Sequence, residues 1–242
     1  MRFNCFKFQL HYFPIITALW FTLTYLVVYI VAVLLKHVDP LFPYISVAGT
    51  HPPESCIFGF MLNIATVLMF IVIYVRYQQL KFCPEIEAPK YLNNLSFTLG
   101  ILACLGVTLV ANFQESNVIS VHALGALFAF GCSTMYCCIQ AWLTWRSNAS
   151  LTLKLFRLLL CFVLISTFLN DFIFAPLARK EYNGTSGTDM TNWKWQDGGY
   201  IFYLTATFSE WILAMTLNLY IFSMEREFKM IRFEDIVFTK NV

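Results

Sequence analysis

The sequence predicts an all-α membrane protein, a six-transmembrane-helix bundle with a structured first lumenal loop. Three observations carry that prediction. Of 242 residues, 59% are hydrophobic, 18% aromatic and only 12% charged, about half the charge of a soluble domain. A soluble chain of this size could not cover its core with so few polar residues, so the solvent for much of it is lipid. The apolar residues also gather into six runs of spanning length, and the basic residues gather on one side of them.

The first run, Tyr12 to Leu35, is uncharged and long enough to cross roughly 30 Å of hydrocarbon. Its length and lack of a small-residue cleavage site predict a retained signal-anchor. The second runs from Cys56 to Val75, and the third from about Leu92 to Ala111. The fourth, Val118 to about Trp145, holds one titratable group, His122. The fifth, about Leu155 to Phe174, is the least clean, with Arg157 near its start and Asn170-Asp171 near its end. The sixth, Tyr200 to Met224, holds one carboxylate, Glu210.

Twelve of the 16 lysines and arginines lie on one side of these spans. They are Arg2, Lys7, Arg76, Lys81, Lys90, Arg146, Lys154, Arg157, Arg226, Lys229, Arg232 and Lys240. Lys36, Arg179, Lys180 and Lys194 lie on the other. Basic residues accumulate on the cytosolic face, which predicts cytosolic termini. Trp145, Trp193, Trp195 and Tyr200 stand at span ends, as interfacial anchors do.

Under this topology only one of three glycosylation sequons is usable. Asn94-Leu95-Ser96 and Asn148-Ala149-Ser150 fall in the cytosol or membrane, while Asn183-Gly184-Thr185 lies in the fifth loop on the lumenal side. Asn183 is the candidate acceptor. Of the eight cysteines, only Cys56 sits near the lumenal face, so no structural disulfide is expected. Palmitoylation of Cys5 or Cys83 is an alternative use of those thiols.

No linker or repeat divides the chain, which reads as a single membrane domain over 1–242 with a cytosolic tail over 225–242. The first lumenal loop, Asp39 to Glu54, has prolines at 40, 43, 52 and 53 that forbid a regular helix, and Gly49 permits a tight turn. Leu41, Phe42, Ile45 and Val47 are more apolar than a solvated connector needs. The expectation is a cap packed on the lumenal mouth, and the alternative is a floppy loop. Pro52-Pro53-Glu54 suits a helix start, with its carboxylate at the positive helix end. The tail mixes charges with Met224, Phe228, Ile231 and Ile236 and is expected to continue the sixth helix onto the cytosolic face. Tyr77-Gln-Gln-Leu80 has the pattern of a tyrosine-based sorting signal, a pattern frequent by chance.

Intramembrane polar groups are the default place to look for function. Glu210 sits about 15 Å into the sixth span at 1.5 Å per residue. His122, Asn63, Asp171 and Asn170 fall in the same lumenal half. Asn63, His122, Asp171 and Glu210 form the candidate polar cluster, with Glu210 paired to His122. The alternative is interhelical hydrogen bonds that only set packing.

Of the four histidines, His11, His37, His51 and His122, only the last is intramembrane, whereas an intramembrane zinc hydrolase would need several convergent ligands. His-Glu-x-x-His, Gly-x-Ser-x-Gly and phosphate-binding glycine loops are missing. No metal or cofactor is expected, and the chain reads as a non-enzyme. The net charge of +2, without a basic patch, argues against nucleic acid. Membrane lipids are the expected partners, with protein partners besides.

Pro43-Tyr44-Ile45-Ser46, Gly49-Thr50, Pro53-Glu54 and Phe58-Gly59-Phe60-Met61-Leu62-Asn63 resemble the first-loop signature of the DRAM family. These damage-regulated autophagy modulators lie within the broader Frag1/DRAM/Sfk1 group. Tyr74-Val75-Arg76-Tyr77, Ala111-Asn112-Phe113-Gln114, His122 and Glu210-Trp211 recur there at similar places, and the resemblance covers nearly the whole chain. It marks Tyr44, Gly49, Pro53 and Glu54 as candidate cap residues. It implies a six-span protein of lysosomal or endolysosomal membranes that promotes autophagy and influences cell death. Val47 departs from the Asp expected in the nearest vertebrate members, and the Gly/Thr-rich fifth loop is atypical. The transmembrane-150 branch is linked to mechanically gated currents, and the Frag1 and Sfk1 branches to membrane lipids. Two alternatives therefore accompany the autophagy reading: an ion- or proton-conducting protein using Glu210 and His122, and a lipid-handling protein.

Overall fold

A computed structural model of the protein describes residues 9–82, 88–183, 193–229 and 231. Six helices among them are long and apolar enough to cross a membrane. The first is α1 (Tyr12–Leu34). After it comes the one-turn helix α2 (Ile45–Ala48) in the first loop, then α3 (Glu54–Phe82) and α4 (Lys90–Asn112). The fourth span is composite: α5 (Ile119–Ala126), a π-helical stretch over Leu127–Cys132, and α6 (Ser133–Arg146). The fifth is α7 (Leu151–Glu181), and the sixth is α8 (Tyr200–Ser223), extended by the short α9 (Glu225–Phe228).

The first, fourth and sixth apolar runs match their helical spans to within one residue at each end, whereas the second, third and fifth are overrun by their helices. The second continues past Val75 through Arg76 to Phe82, and the fifth continues past Phe174 through Pro176 to Glu181. Hydropathy marks only the part that lipid requires, while backbone hydrogen bonding carries a helix on into the interface. Ser150 caps α7 by accepting from the Leu153 N–H, as small oxygen-bearing residues do at helix starts.

The spans close into a ring. α1 packs between α3 and α8, α3 against α4, α4 against the whole fourth span, α6 against α7, and α7 along α8. Phe60, Phe162 and Ile201 point outward from this ring, as lipid-facing side chains must when the solvent is hydrocarbon. α4 and the fourth span touch backbone to backbone. A Cβ on Gly106 would lie 2.3 Å from the Ala129 nitrogen and 2.6 Å from the Gly125 carbonyl oxygen. Small residues let membrane helices approach this closely.

The first loop is a folded cap. All four residues of α2 are buried, the Tyr29 hydroxyl donates to the Pro40 carbonyl at 2.7 Å, and the Trp211 indole donates to the Pro43 carbonyl at 2.9 Å. Gly49 has a role other than the one expected. Its φ of −92° needs no glycine, but a Cβ there would meet the Phe58 ring at 2.5 Å. Val47, where the family resemblance leads one to expect Asp, is buried. Pro53 joins Pro52 by a cis peptide bond just before α3. Glu54 opens α3, fully buried, 2.5 Å from the His37 ring.

Two smaller expectations change. Trp193 is no interfacial anchor, because it is buried and stacked on Tyr203 at 4.8 Å, whereas Trp195 is exposed. Tyr77 to Leu80 is an internal turn of α3 with Leu80 buried, so a partner cannot read it as a sorting signal. Cys5, Cys83, Thr185, Ile236 and the chain beyond Ile231 lie outside the described residues.

Candidate functional site

The ring of spans encloses a cavity of about 660 Å³, within the range of about 300–1,000 Å³ for small-ligand sites. Its shaft is mostly apolar, walled by Phe21, Leu62, Met69, Val107, Phe130, Leu217 and Met224, with Ser133, Tyr136 and Asn218 among the few polar residues along it. Polar groups concentrate at the cap end: Tyr44 and Ser46 from the cap, Glu115 from the third loop, His122 from α5, Asp171 and Arg179 from α7, and Glu210 from α8.

Glu210 is 7% exposed. One of its oxygens accepts the Ile45 backbone N–H at 2.8 Å, and this bond holds the start of α2 onto the sixth span. The expected pairing with His122 does not form. His122 Nδ1 instead meets the Phe113 carbonyl at 2.7 Å and closes the third loop. The histidine is satisfied locally by its own loop, and Glu210 by the cap.

Asn63 also leaves the predicted cluster. It faces α4, where it and Asn112 exchange reciprocal amide hydrogen bonds of 3.2 Å, and it does not line the cavity. Asp171 does line it. The structure therefore unites His122, Asp171 and Glu210 around one cavity and sends Asn63 to a helix seam.

Two members of the polar mouth were invisible in sequence because both sit outside the apolar runs. Glu115 accepts from Ser46 Oγ at 2.9 Å and pairs with Arg179, bridging the third loop, the cap and α7. Burial pushes the Tyr44 phenol well above its ordinary value. The charges of Asp171, Glu210 and Glu115 push it further, and Arg179 opposes them.

The cavity wall is thin on one side. α5 packs on α4 and α7 on α8, with no substantial packing between α5 and α7. Ile119, Leu124 and Leu127 on one flank and Phe172 on the other line the cavity yet are 42–61% exposed. Pro176, also in the wall, removes the helical donor that would meet the Phe172 carbonyl. The π-helical stretch supplies Leu127, Ala129 and Phe130 to the wall, and such stretches frequently mark functional sites.

A second polar assembly sits at the opposite end, its members not brought together in the sequence reading, where Arg76 and Arg157 counted among the orientation charges. Arg157, fully buried, donates to Thr144 Oγ1 at 2.6 Å and to the Ser223 carbonyl at 3.0 Å. It also grips both carboxylate oxygens of Glu227, one of them at 2.9 Å. Arg76 donates to Gln140 at 2.9 Å and Gln79 at 2.7 Å, and Gln140 donates to Ser96 at 2.7 Å. Five spans and α9 are tied together here. The available signal was an arginine inside an apolar run, since a buried guanidinium in a membrane must have partners.

The chain is similar to known proteins over most of its length. Residues 9–231 match the family profile described as the Frag1/DRAM/Sfk1/Cwh43P N-terminal domain. DNA damage-regulated autophagy modulator protein 2 of Bos taurus is 34% identical over 230 residues, covering 93% of this chain and 86% of the relative. DNA damage-regulated autophagy modulator protein 1 of Xenopus laevis is 34% identical over 226 residues, 90% of each chain. The modulator of macroautophagy TMEM150B-B of Xenopus laevis is 41% identical over 104 residues, 43% of this chain and 44% of the relative. No solved structure matches significantly. The extent of the profile match and the identity to full-length relatives make this chain a member of the Frag1/DRAM/Sfk1 family.

Proposed function

We propose that this protein modulates autophagy, and through it cell death, from lysosomal or endolysosomal membranes, by holding a membrane lipid in the cavity under its cap. The relatives named as autophagy modulators support the process. The single observation that carries the molecular reading is the apolar shaft, polar at one end and thin-walled between α5 and α7. Such a cavity suits an amphiphile entering sideways from the bilayer. The excess of basic residues at the end away from the cap supports cytosolic termini and a lumenal cap. The protein is read as a binder rather than an enzyme because its sequence carries none of the hydrolase or phosphate-transfer signatures.

Filling the shaft tests this reading. Ala126 lines the cavity, and Ala126→Trp should leave folding and membrane location intact. It should abolish co-purifying lipid, read by mass spectrometry, together with the effect on autophagic flux. A variant that folds, carries no lipid and modulates flux normally would overturn the lipid mechanism. A proton current lost in Glu210→Gln would favour conduction instead.

A further inference from the structure

We propose that the cavity selects a single-chain amphiphile with an ammonium head, and that Asp171 and Glu210 receive that head beneath Tyr44. The inference rests on the lipid-binding reading above and adds the chemical class of the ligand. Three carboxylates, Glu115, Asp171 and Glu210, line the mouth against one guanidinium, Arg179. Arg179 is already committed to Glu115, so the other two acids have no counter-charge.

Their hydrogen-bonding capacity is open as well. Glu210 is buried with its second oxygen unpartnered among the described residues, since its only bond there uses the first. Asp171 makes no hydrogen bond or ion pair among the described residues, and one of its oxygens is fully enclosed without a partner. Buried acceptors without donors are costly, and an ammonium brings three donors with a positive charge. The Tyr44 ring adds a face of the kind that attracts cations.

The alternatives fit less well. Among the described residues no three His, Cys, Asp or Glu side chains converge to hold a metal ion, which leaves an organic cation as the better counter-charge. An anionic head would meet two uncompensated carboxylates. A cavity of about 660 Å³ is the size of a site for one small ligand, which favours one chain over the two of a bilayer phospholipid.

The test uses the full chain in nanodiscs of neutral phosphatidylcholine, with an 18-carbon amine carrying a diazirine in its chain as the photoreactive probe. The probe should label shaft residues. Octadecylamine should compete about tenfold better than octadecanol or octadecanoate, the scale of one charge-assisted hydrogen bond. Asp171→Asn with Glu210→Gln should erase that preference, while Gln still accepts from the Ile45 N–H. Should the double variant fail to fold, Asp171→Asn alone carries the comparison, because it breaks no bond among the described residues. Lysophosphatidylethanolamine competing as well as octadecylamine would place the ammonium on a lysophospholipid, and failure to compete would place it on a free long-chain base. Either result sustains an ammonium head. Equal competition by amine, alcohol and acid would overturn the head assignment and leave the cavity reading standing. No labelling of the shaft by any probe would remove the cavity reading itself.

Discussion

Glu210 and Ile45, 165 residues apart, are joined by a 2.8 Å hydrogen bond from a cap amide to a carboxylate buried in the sixth span. The Trp211 indole reinforces it on the Pro43 carbonyl. Glu210→Ala should strand the Ile45 N–H, at a cost of about 1–3 kcal/mol, and raise amide exchange across the cap. Glu210→Gln should restore protection, because its amide oxygen still accepts. Equal exchange in wild type and Glu210→Ala would show that the bond does not hold the cap.

At the other end, removing the Arg157 side chain would leave Glu227 without its bidentate partner. Arg157→Met should destabilise the protein by about 3–5 kcal/mol, seen as a lower thermal midpoint of the purified chain. Arg157→Lys should not rescue it, because an ammonium cannot reproduce the planar fork that meets Glu227 and Ser223 together. Full rescue by lysine would mean that charge alone matters there.

Gly106 and Gly100 offer a contrast within α4. A Cβ on Gly106 would strike backbone on the fourth span, whereas one on Gly100 would meet the Ile73 side chain, nearest at 2.6 Å. Gly106→Ala should therefore cost about 3 kcal/mol, the upper range for overpacking, and Gly100→Ala distinctly less. Parallel unfolding of the two variants in the same detergent decides it.

Asn183 is exposed, and its side-chain oxygen accepts from the Gly198 N–H at 2.7 Å, which leaves its amide nitrogen for a glycan. The protein from cells should shift on a gel after glycosidase treatment, and Asn183→Gln should match the shifted band. No shift in wild type would remove the glycan and the support it gives to a lumenal cap.

How far the site was legible is seen residue by residue. Asp171 and Glu210 announced themselves as carboxylates in apolar runs, and both line the cavity. Asn63, a polar amide in an apolar run, was chosen with them and went elsewhere, because its position on α3 faces α4 rather than the interior. Glu115 and Arg179 gave no signal, since polar residues near span ends are ordinary there. Arg157 did give one, and its reading as an orientation charge missed the clamp on Glu227.

By itself the sequence determined the six spans and the folded first loop, because hydrophobic length and proline placement are local properties that add along the chain. Tertiary structure alone decided which polar groups meet. Partner choice depends on how each helix is rotated about its axis and where loops return. One residue of difference turns a side chain about 100°, enough to send Asn63 to Asn112, His122 to Phe113 and Glu210 to Ile45.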